Sequence, residues 1–190
     1  KIGEILFIRA RYGFGGRPGY EKEWRHQKSL GGGESLDQGV HMIDLCKYFL
    51  GDVKETVGFA ENLFWGSEVD DNAFLILKNK NNRMASIHVS WSNWDPIHSF
   101  EIYGTRGYLK VEGLGKKYGG EEKLILGIRP ENFMGLPKEK VTACDPDANK
   151  SLTRILKVFA DSVKTGKKLK PSGWDAYETL KIVEEIYAQK

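Results

Sequence analysis

The chain reads NAFLILKNKNNRMASIHVSWS over residues 72–92, and this stretch indicates the class of fold. In its second half Ala85, Ile87 and Val89 alternate with other residues, which is the period of two of a half-buried β-strand. An asparagine-rich segment at residues 79–82 separates this run from an earlier strand-like run, as a hairpin turn does. Strands joined by a short turn pair antiparallel. The stretch therefore predicts an antiparallel hairpin inside a sheet.

Strand signals continue on both sides of this hairpin. Apolar residues interleave with arginines over residues 4–12, which predicts a first strand with one polar face. Thr105-Arg106-Gly107 is typical of a second hairpin turn. Further strands are predicted from the same kind of pattern over residues 55–64, 99–104, 108–112 and 123–129.

Helical patterns frame the strands. The apolar residues between about 35 and 50 follow a helical period, and Gly51 ends that helix as glycine often does. A proline-containing stretch around residues 130–149 is predicted to be irregular. Two helices are then predicted to close the chain, over residues 150–165 and over residues 172–187, the second with a serine N-cap.

These elements together predict an α+β fold. One large, mostly antiparallel, open-faced sheet carries helices on one of its faces, and the other face must be solvated or covered by a partner. All 190 residues are assigned to a single predicted domain. The chain begins in the approach to a strand and lacks an initiator methionine, which is expected of part of a longer protein.

Composition narrows the class of protein. Hydrophobic residues make up 40% and charged residues 29% of the chain, as in ordinary globular domains. The net charge of +3 comes from basic residues spread along the chain, whereas a nucleic-acid binder concentrates them in a patch. No apolar run reaches the ~18 residues that a membrane span needs. Cys46 and Cys144 form neither a CxxC motif nor a disulfide framework, so a cytoplasmic location is expected.

The segment richest in chemical groups reads GGGESLDQGVHMID over residues 31–44. Asp37 and His41 are four residues apart and Asp44 follows three further on, so a helix would place all three on one face. Gly39 leaves room for a ligand between them. A carboxylate beside an imidazole can orient it and favour its protonated form. This arrangement suits proton transfer to or from a substrate hydroxyl.

The spacing alone leaves two other interpretations open. An Asp–His pair on a helix surface is often only a solvated pair. The same residues could also form part of a metal site, but one helix supplies too few ligands. Completing such a site would require His88, His98 or Glu101, and their spacing gives no support.

Further candidate residues lie near this segment and at the end of the first strand. Arg11, Trp24 and Arg25 are predicted to bind substrate, because an aromatic face suits a sugar ring and an arginine suits a carboxylate or a phosphate. Packing against the sheet is an equal alternative for Trp24. Glu34 is predicted to be a helix-start acid that complements the helix dipole, and Trp174 is predicted to lie in the core.

The whole string at residues 31–44 resembles a family signature, Gly-Gly-Gly-x-x-x-Asp-x-Gly-x-His-x-x-Asp. It is typical of the glucose–fructose oxidoreductase, inositol dehydrogenase and rhizopine-catabolism (Gfo/Idh/MocA) family. The resemblance extends to the opening residues 1–5, which resemble the start of the family's second domain. Residues 102–111 resemble its Gly-Thr-x-Gly hairpin, and residues 159–187 resemble its closing helices.

The resemblance implies a dihydrodipicolinate-reductase-like C-terminal domain, which in the family follows an N-terminal Rossmann domain that binds NAD or NADP. It implies that His41 is the acid–base group at the substrate carbon that exchanges hydride, and that Asp37 supports His41 or binds the substrate. A lysine from a Glu-Lys-Pro motif in the first domain completes the family's site. That motif and the glycine-rich nucleotide loop are absent from this sequence, so the chain alone is expected to lack hydride-transfer activity.

The resemblance also implies partners. The expected substrate is a sugar, a sugar derivative or a cyclitol, and the open sheet face is expected to join subunits into a homodimer or homotetramer. Two alternatives remain at this point. One is a non-catalytic sugar-binding or oligomerisation module with the same fold, and the other is a metal-dependent hydrolase or isomerase centred on His41.

Overall fold

Eight strands and three α-helices make up the fold in the computed structural model, which describes residues 1–115, 118–143 and 148–189. The strands are β1 (Ile5–Gly13), β2 (Val53–Glu61), β3 (Asn72–Asn79), β4 (Met84–Ser90), β5 (Ile97–Gly104), β6 (Gly107–Glu112), β7 (Lys123–Ile128) and β8 (Lys138–Ala143). The helices are α1 (Val40–Leu50), α2 (Ala148–Thr165) and α3 (Gly173–Tyr187). A π-helical turn, Ser35–Gly39, leads directly into α1.

All eight strands belong to one sheet in the order β2-β3-β4-β1-β5-β6-β7-β8. Neighbours pair antiparallel except β1 and β4, which are parallel. The parallel pair arises because the chain leaves β1, forms α1 and two further strands, and only then returns beside β1. The predicted α+β class and the mostly antiparallel, open-faced sheet are therefore confirmed.

Alternation along the strands separates the two faces of the sheet. In β1, Ile8 and Ala10 are buried whereas Arg9 and Arg11 are exposed. The register pairs Ala10 with Ile87 and Arg11 with His88, so each face continues into β4. The predicted alternation of Ala85, Ile87 and Val89 with their neighbours is thus confirmed. One face carries the helices, and the opposite, open face carries the arginines.

The helices α1 and α3 cover the buried face. Their contributions to the main core are Met42, Ile43 and Cys46 from α1, and Ile182, Val183 and Ile186 from α3. Each fully buried large apolar side chain contributes about 1.5–3 kcal/mol relative to exposure. The start of α3 is also held locally, because Ser172 and Asp175 form the predicted capping box. This packing fixes the position of α1 over the sheet.

A smaller core lies at the end of the sheet near β1 and β4. It consists of Tyr20, Val69 and Trp91, and Phe14 and Trp65 pack against it. Trp91 is fully buried, and its backbone carbonyl accepts a hydrogen bond of 2.9 Å from the Trp65 indole. The loop that follows β1 is therefore anchored to the strand end beneath it.

The stretch after residue 130 was predicted to be irregular, and for its middle part that prediction is wrong. Residues Lys138–Ala143 form β8, which pairs antiparallel with β7 at the edge of the sheet. All six residues of β8 are exposed, so the strand has no buried face. A strand without a buried face shows no alternation of apolar residues, and the sequence pattern could not reveal it. Cys144 and Pro146 lie outside the described residues.

Trp174 was predicted to lie in the core, and this prediction is also wrong. Its side chain is 72% exposed and stacks on Tyr177 one turn later, with ring centroids 5.1 Å apart. The buried residues of α3 begin only in its second turn and are Thr179, Ile182, Val183 and Ile186. The first turn of α3 therefore leaves Trp174 exposed to solvent.

Helix α2 has an apolar stripe that nothing in the described parts of the chain covers. Leu152, Ile155, Leu156, Phe159 and Val163 follow helical spacing, and each is 56–70% exposed. None of the helices in the described residues combines the length and apolar character that a membrane crossing needs.

Candidate active site

The π-helical turn and the first turn of α1 carry the two predicted catalytic residues. Asp37 lies in the π-helical turn and His41 follows in α1. The Asp37 side chain is 23% exposed, whereas His41 is exposed. Within the described residues no hydrogen bond joins the two side chains. A π-helical turn advances less rotation per residue than an α-helical turn, so residues four apart are not stacked as the sequence spacing suggested.

Asp37 is paired with Arg25 instead. The Arg25 guanidinium donates a hydrogen bond of 2.9 Å from Nε to Oδ2 of Asp37, and its Nη1 lies 3.3 Å from Oε2 of Glu23. Burial acts to lower the pKa of Arg25, but the charge and hydrogen bond of Asp37 outweigh it, and the pKa is raised. The same guanidinium lies 4.7 Å from the centroid of the Trp24 ring. The structure therefore brings Trp24, Arg25 and Asp37 together.

Arg11 is not part of this group. It extends from the open face of the sheet, and its Nη2 lies 3.6 Å from Oε1 of Glu101 on the neighbouring strand. The helices and Asp37 are on the other face. Arg11 lies near the end of β1, as its sequence position indicated, but the alternation of the strand turns its side chain away from the helices and turns Tyr12 toward them.

Tyr12 belongs to an aromatic wall that the sequence did not identify. Its ring centroid lies 4.9 Å from that of Tyr118 and 5.3 Å from that of His98, and Phe14 lies 5.6 Å from Tyr118. Tyr118 comes from the connection between β6 and β7, about a hundred residues away. The strand alternation could have indicated Tyr12, but no local signal could have indicated Tyr118.

The charges of Glu34 and Asp37 influence the two phenols of this aromatic wall, Tyr12 and Tyr118. Burial raises the pKa of Tyr12, and so do the nearby Tyr118 phenol and the charges of Glu34 and Asp37. Burial also raises the pKa of Tyr118, and the charge of Asp37 acts in the same direction. Both phenols therefore stay protonated at neutral pH and remain able to donate hydrogen bonds.

His41 and Asp44 line a separate depression between α1 and α3. The cavity measures about 360 Å³ and is bordered on the α3 side by Pro171, Ser172 and Thr179. His41 is therefore accessible from outside the domain, on the side where α1 and α3 are uncovered. An exposed imidazole at this position can exchange a proton with a molecule that approaches the helix.

Glu34 was predicted to be a helix-start acid that complements the helix dipole, and it does lie directly before the π-helical turn. Its side chain is fully buried, with 0% exposure. Burial raises the pKa of its carboxyl group well above the ordinary value, and the charges of Asp37 and Asp70 add to the effect. The Ser90 backbone and the Trp91 indole act in the opposite direction, but neither makes a hydrogen bond of good geometry. These effects together favour the neutral form of the Glu34 carboxyl group.

The geometry gives no support to a metal centre at His41. Across the three described ranges, no group of three His, Cys, Asp or Glu side chains is arranged to hold a metal ion. Two of the three residues that could have completed such a site, His88 and Glu101, line a depression on the open face of the sheet, away from the helices.

Comparison with known proteins identifies the family. A sequence model of the GFO/IDH/MocA C-terminal domain matches residues 1–110, which is more than half of the chain. The chain therefore belongs to the Gfo/Idh/MocA family. Comparison with curated protein sequences gives no significant match.

Solved structures of similar fold support this assignment at the level of architecture. A levoglucosan dehydrogenase complexed with NADH and levoglucosan has a TM-score of 0.81 at 19% identity, covering 99% of this chain and 57% of that one. An aldose–aldose oxidoreductase from Caulobacter crescentus complexed with glycerol has a TM-score of 0.75 at 20% identity, covering 98% and 53%. A 3-ketoreductase from Actinomadura kijaniata, in complex with NADP and TDP-benzene, has a TM-score of 0.72 at 20% identity, covering 98% and 54%. The chain spans about half the length of these structures.

Proposed function

We propose that this chain is the substrate-binding and acid–base domain of an NAD(P)-dependent oxidoreductase that acts on a hydroxyl group of a sugar, a sugar derivative or a cyclitol. The observation that carries the proposal is the grouping of Trp24, Arg25 and Asp37 at the π-helical turn, one helical turn before the exposed His41 of α1. Membership of the family supports it, and so do the sugar ligands and nicotinamide cofactors named for the similar structures.

The nucleotide is proposed to be held mainly by another part of the protein. The described residues contain no glycine loop between a strand and a helix that could hold a dinucleotide phosphate. When bound, the nicotinamide supplies the hydride acceptor or donor. The long apolar stripe on α2 supports the presence of a further domain, because such a surface calls for a cover. The chain alone is therefore proposed to be inactive.

The chain's own residues have distinct proposed roles. His41 takes a proton from the substrate hydroxyl during oxidation and returns it during reduction. Asp37, held in place by Arg25, accepts a hydrogen bond from a substrate hydroxyl. The Trp24 ring offers an apolar face for one side of a sugar ring, and the Tyr12 and Tyr118 phenols are donors at the edge of the site.

Substitution of His41 tests the proposal in the full-length protein. We expect His41→Ala to lower kcat by about 10²- to 10⁴-fold, the usual contribution of a general acid–base group, while the affinity for the nicotinamide stays largely unchanged. Steady-state turnover on a panel of sugars and cyclitols, together with nicotinamide fluorescence titration, measures both. Partial recovery of turnover on addition of imidazole would support the proton-transfer role. Unchanged turnover in His41→Ala would overturn it.

A second copy of the chain is proposed to cover the open sheet face and form a homodimer or homotetramer. This face presents Phe59, Phe74 and Ile76 at 72%, 53% and 44% exposure. The Phe74 ring stacks on His88 at a centroid distance of 4.0 Å. A partly apolar face of this kind is suited to a self-complementary contact. A cytoplasmic location is also part of the proposal, and it accords with the buried free thiol of Cys46.

A further inference from the structure

Asp70 lies outside the family signature, in the connection between β2 and β3, yet it contacts the start of the helical segment that carries the site. Its side chain is buried, with 4% exposure. Oδ2 accepts hydrogen bonds from the Ser35 backbone N–H at 2.9 Å and from the Ser35 hydroxyl at 2.7 Å. The Asp70 backbone carbonyl accepts a further hydrogen bond of 2.9 Å from the Glu34 N–H. The connection therefore satisfies two successive donors at the helix start.

These donors have no partners of their own within the helix. The first N–H groups of any helix lack intrahelical acceptors and are usually satisfied by a side chain just before the helix. Here the residue in that position, Glu34, makes no such capping bond. A carboxylate from 35 residues further along the chain replaces it. A negative charge at this end also interacts favourably with the helix dipole.

The last residue of α3 completes the contact. Tyr187 donates a hydrogen bond of 2.6 Å from its hydroxyl to Oδ1 of Asp70. Burial raises the pKa of Tyr187, so the phenol remains a donor. Gly33 makes room for this pair: a Cβ there would lie 2.6 Å from Oδ1 of Asp70 and 2.8 Å from the Tyr187 hydroxyl. Three distant segments of the chain thus meet at one carboxylate.

We infer that Asp70, held by Tyr187, is a positioning residue that fixes the orientation of Asp37 and His41. Asp37 follows Ser35 by two residues within the same π-helical turn. Its backbone N–H is already bonded to the Gly33 carbonyl at 2.9 Å. Fixing Ser35 and Gly33 therefore fixes the rotation of the turn, and with it the direction of the Asp37 carboxylate. This role rests on the proposed function, because it concerns the geometry of the proposed acid–base site.

Two variants test the role, each with a matched control. Tyr187→Phe removes one hydrogen bond and Asp70→Asn removes the charge with little change of shape. Tyr177→Phe makes the same chemical change on the same helix at an exposed tyrosine. Asp71→Asn removes the adjacent carboxylate, which binds the backbone of residues 63–65 rather than the helix. The measurements are kcat and KM of the full-length protein, and amide hydrogen exchange of residues 34–37.

We expect Tyr187→Phe and Asp70→Asn to lower kcat by about 10- to 100-fold, as small misplacements of catalytic groups do, with little change in nicotinamide affinity. Exchange at residues 34–37 is expected to accelerate while exchange in β3 and β4 does not. Tyr177→Phe is expected to resemble the wild type. Asp71→Asn is expected to lower the melting temperature of the protein. At assay temperatures below that melting temperature, its kcat is expected to equal that of the wild type.

Two results would overturn the positioning role. One is wild-type kcat in both Tyr187→Phe and Asp70→Asn. The other is an equal loss of kcat in Asp71→Asn, since stability alone would then explain the effect. A different result would reject the proposed function. If the wild-type protein oxidises no sugar or cyclitol, while amide exchange at residues 34–37 is still faster in the variants, Asp70 keeps only a structural role. Wild-type turnover with unchanged exchange in the variants would reject the positioning role alone.

Discussion

Glu34 shows how a single residue can differ from what its local sequence suggests. It stands where an exposed acid would complement the helix dipole, yet it is fully buried with Asp37 and Asp70 near enough to raise its pKa. Of the three carboxyl groups, Asp37 has Arg25 as a partner and Asp70 has the hydroxyls of Ser35 and Tyr187. The Glu34 carboxyl group has no arginine and no hydroxyl as a partner. A buried acid without a partner costs least free energy in its neutral form.

The substitution Glu34→Gln, which replaces the acid by its neutral analogue, tests whether Glu34 is protonated in the folded protein. The folded protein holds the Glu34 proton above the ordinary pKa of 4.5, whereas the unfolded chain releases it near that value. Between the two pKa values the folded state binds more protons, so stability falls as the pH rises. Glu34→Gln has no titrating group at this position, so it does not show this loss of stability with rising pH. We therefore expect the variant to gain stability over the wild type from about pH 4.5 upward, by up to about 1.4 kcal/mol per pH unit within that window.

Urea unfolding at a series of pH values measures this difference. Glu131→Gln, at an exposed acid, is the matched control, and its difference from the wild type is expected to stay flat. A Glu34→Gln variant that is less stable than the wild type at neutral pH would show that Glu34 is ionised and paired.

At the scale of elements, the carboxylate of Asp71 organises the connection between β2 and β3. Asp71 accepts hydrogen bonds from the backbone N–H groups of Leu63, Phe64 and Trp65 at 2.9, 2.9 and 2.8 Å. Burial alone would raise the pKa of Asp71, but these donors and Asn72 outweigh it, and the pKa is lowered. The loop is thereby closed next to Asp70, which reaches the helix start.

Asp71→Asn is expected to destabilise the chain by about 1–3 kcal/mol at neutral pH, the usual cost of leaving buried donors poorly satisfied. A lowered pKa contributes stability that is present above the ordinary value of 3.8 and is lost as the pH falls through the folded-state value. The variant and the wild type should therefore converge in stability in strong acid. Thermal unfolding at neutral and acid pH measures this, with the exposed Asp52→Asn as control. A constant difference across this pH range would contradict the role of the charge.

At the scale of the whole molecule, the two faces of the sheet have different proposed uses. The helix-covered face is proposed to hold the acid–base site, and the open face is proposed to contact a second copy. Ion pairs such as Arg9–Glu101, at 2.7 Å, lie on the open face beside the exposed phenylalanines. A contact there would bury these apolar side chains.

Introducing a charge into that face tests the proposed assembly. Phe59→Lys is expected to shift the protein toward monomer, because a lysine ammonium would have to be desolvated inside the contact. Tyr48→Lys is the matched control. Tyr48 lies on α1, on the other face of the sheet, and is 78% exposed, compared with 72% for Phe59. This control variant should leave the oligomeric state unchanged in light-scattering measurements on this chain. A wild-type chain that is already monomeric at high concentration would refute the assembly.

The local sequence determined those features that depend on neighbouring residues. Strand alternation, as in Ala85, Ile87 and Val89, follows from burial of every second side chain, and the capping box at Ser172 follows from hydrogen bonds three residues apart. The string from residue 31 to residue 44 likewise indicated Asp37 and His41, because its pattern is contiguous. These parts of the fold and of the candidate site were predictable without any knowledge of the three-dimensional arrangement.

Only the tertiary structure decided which residues surround that string. Arg11 and Tyr12 are adjacent in sequence, but the pleat places them on opposite faces of the sheet. Asp70 reaches this string from a distant loop and is bonded to Tyr187 of the last helix. Tyr118 reaches Tyr12 from another loop, and β8 lacks the buried face that would have revealed it. These contacts depend on strand order and helix packing, which are set by burial over the whole chain. A local pattern carries no information about a partner so far away in sequence.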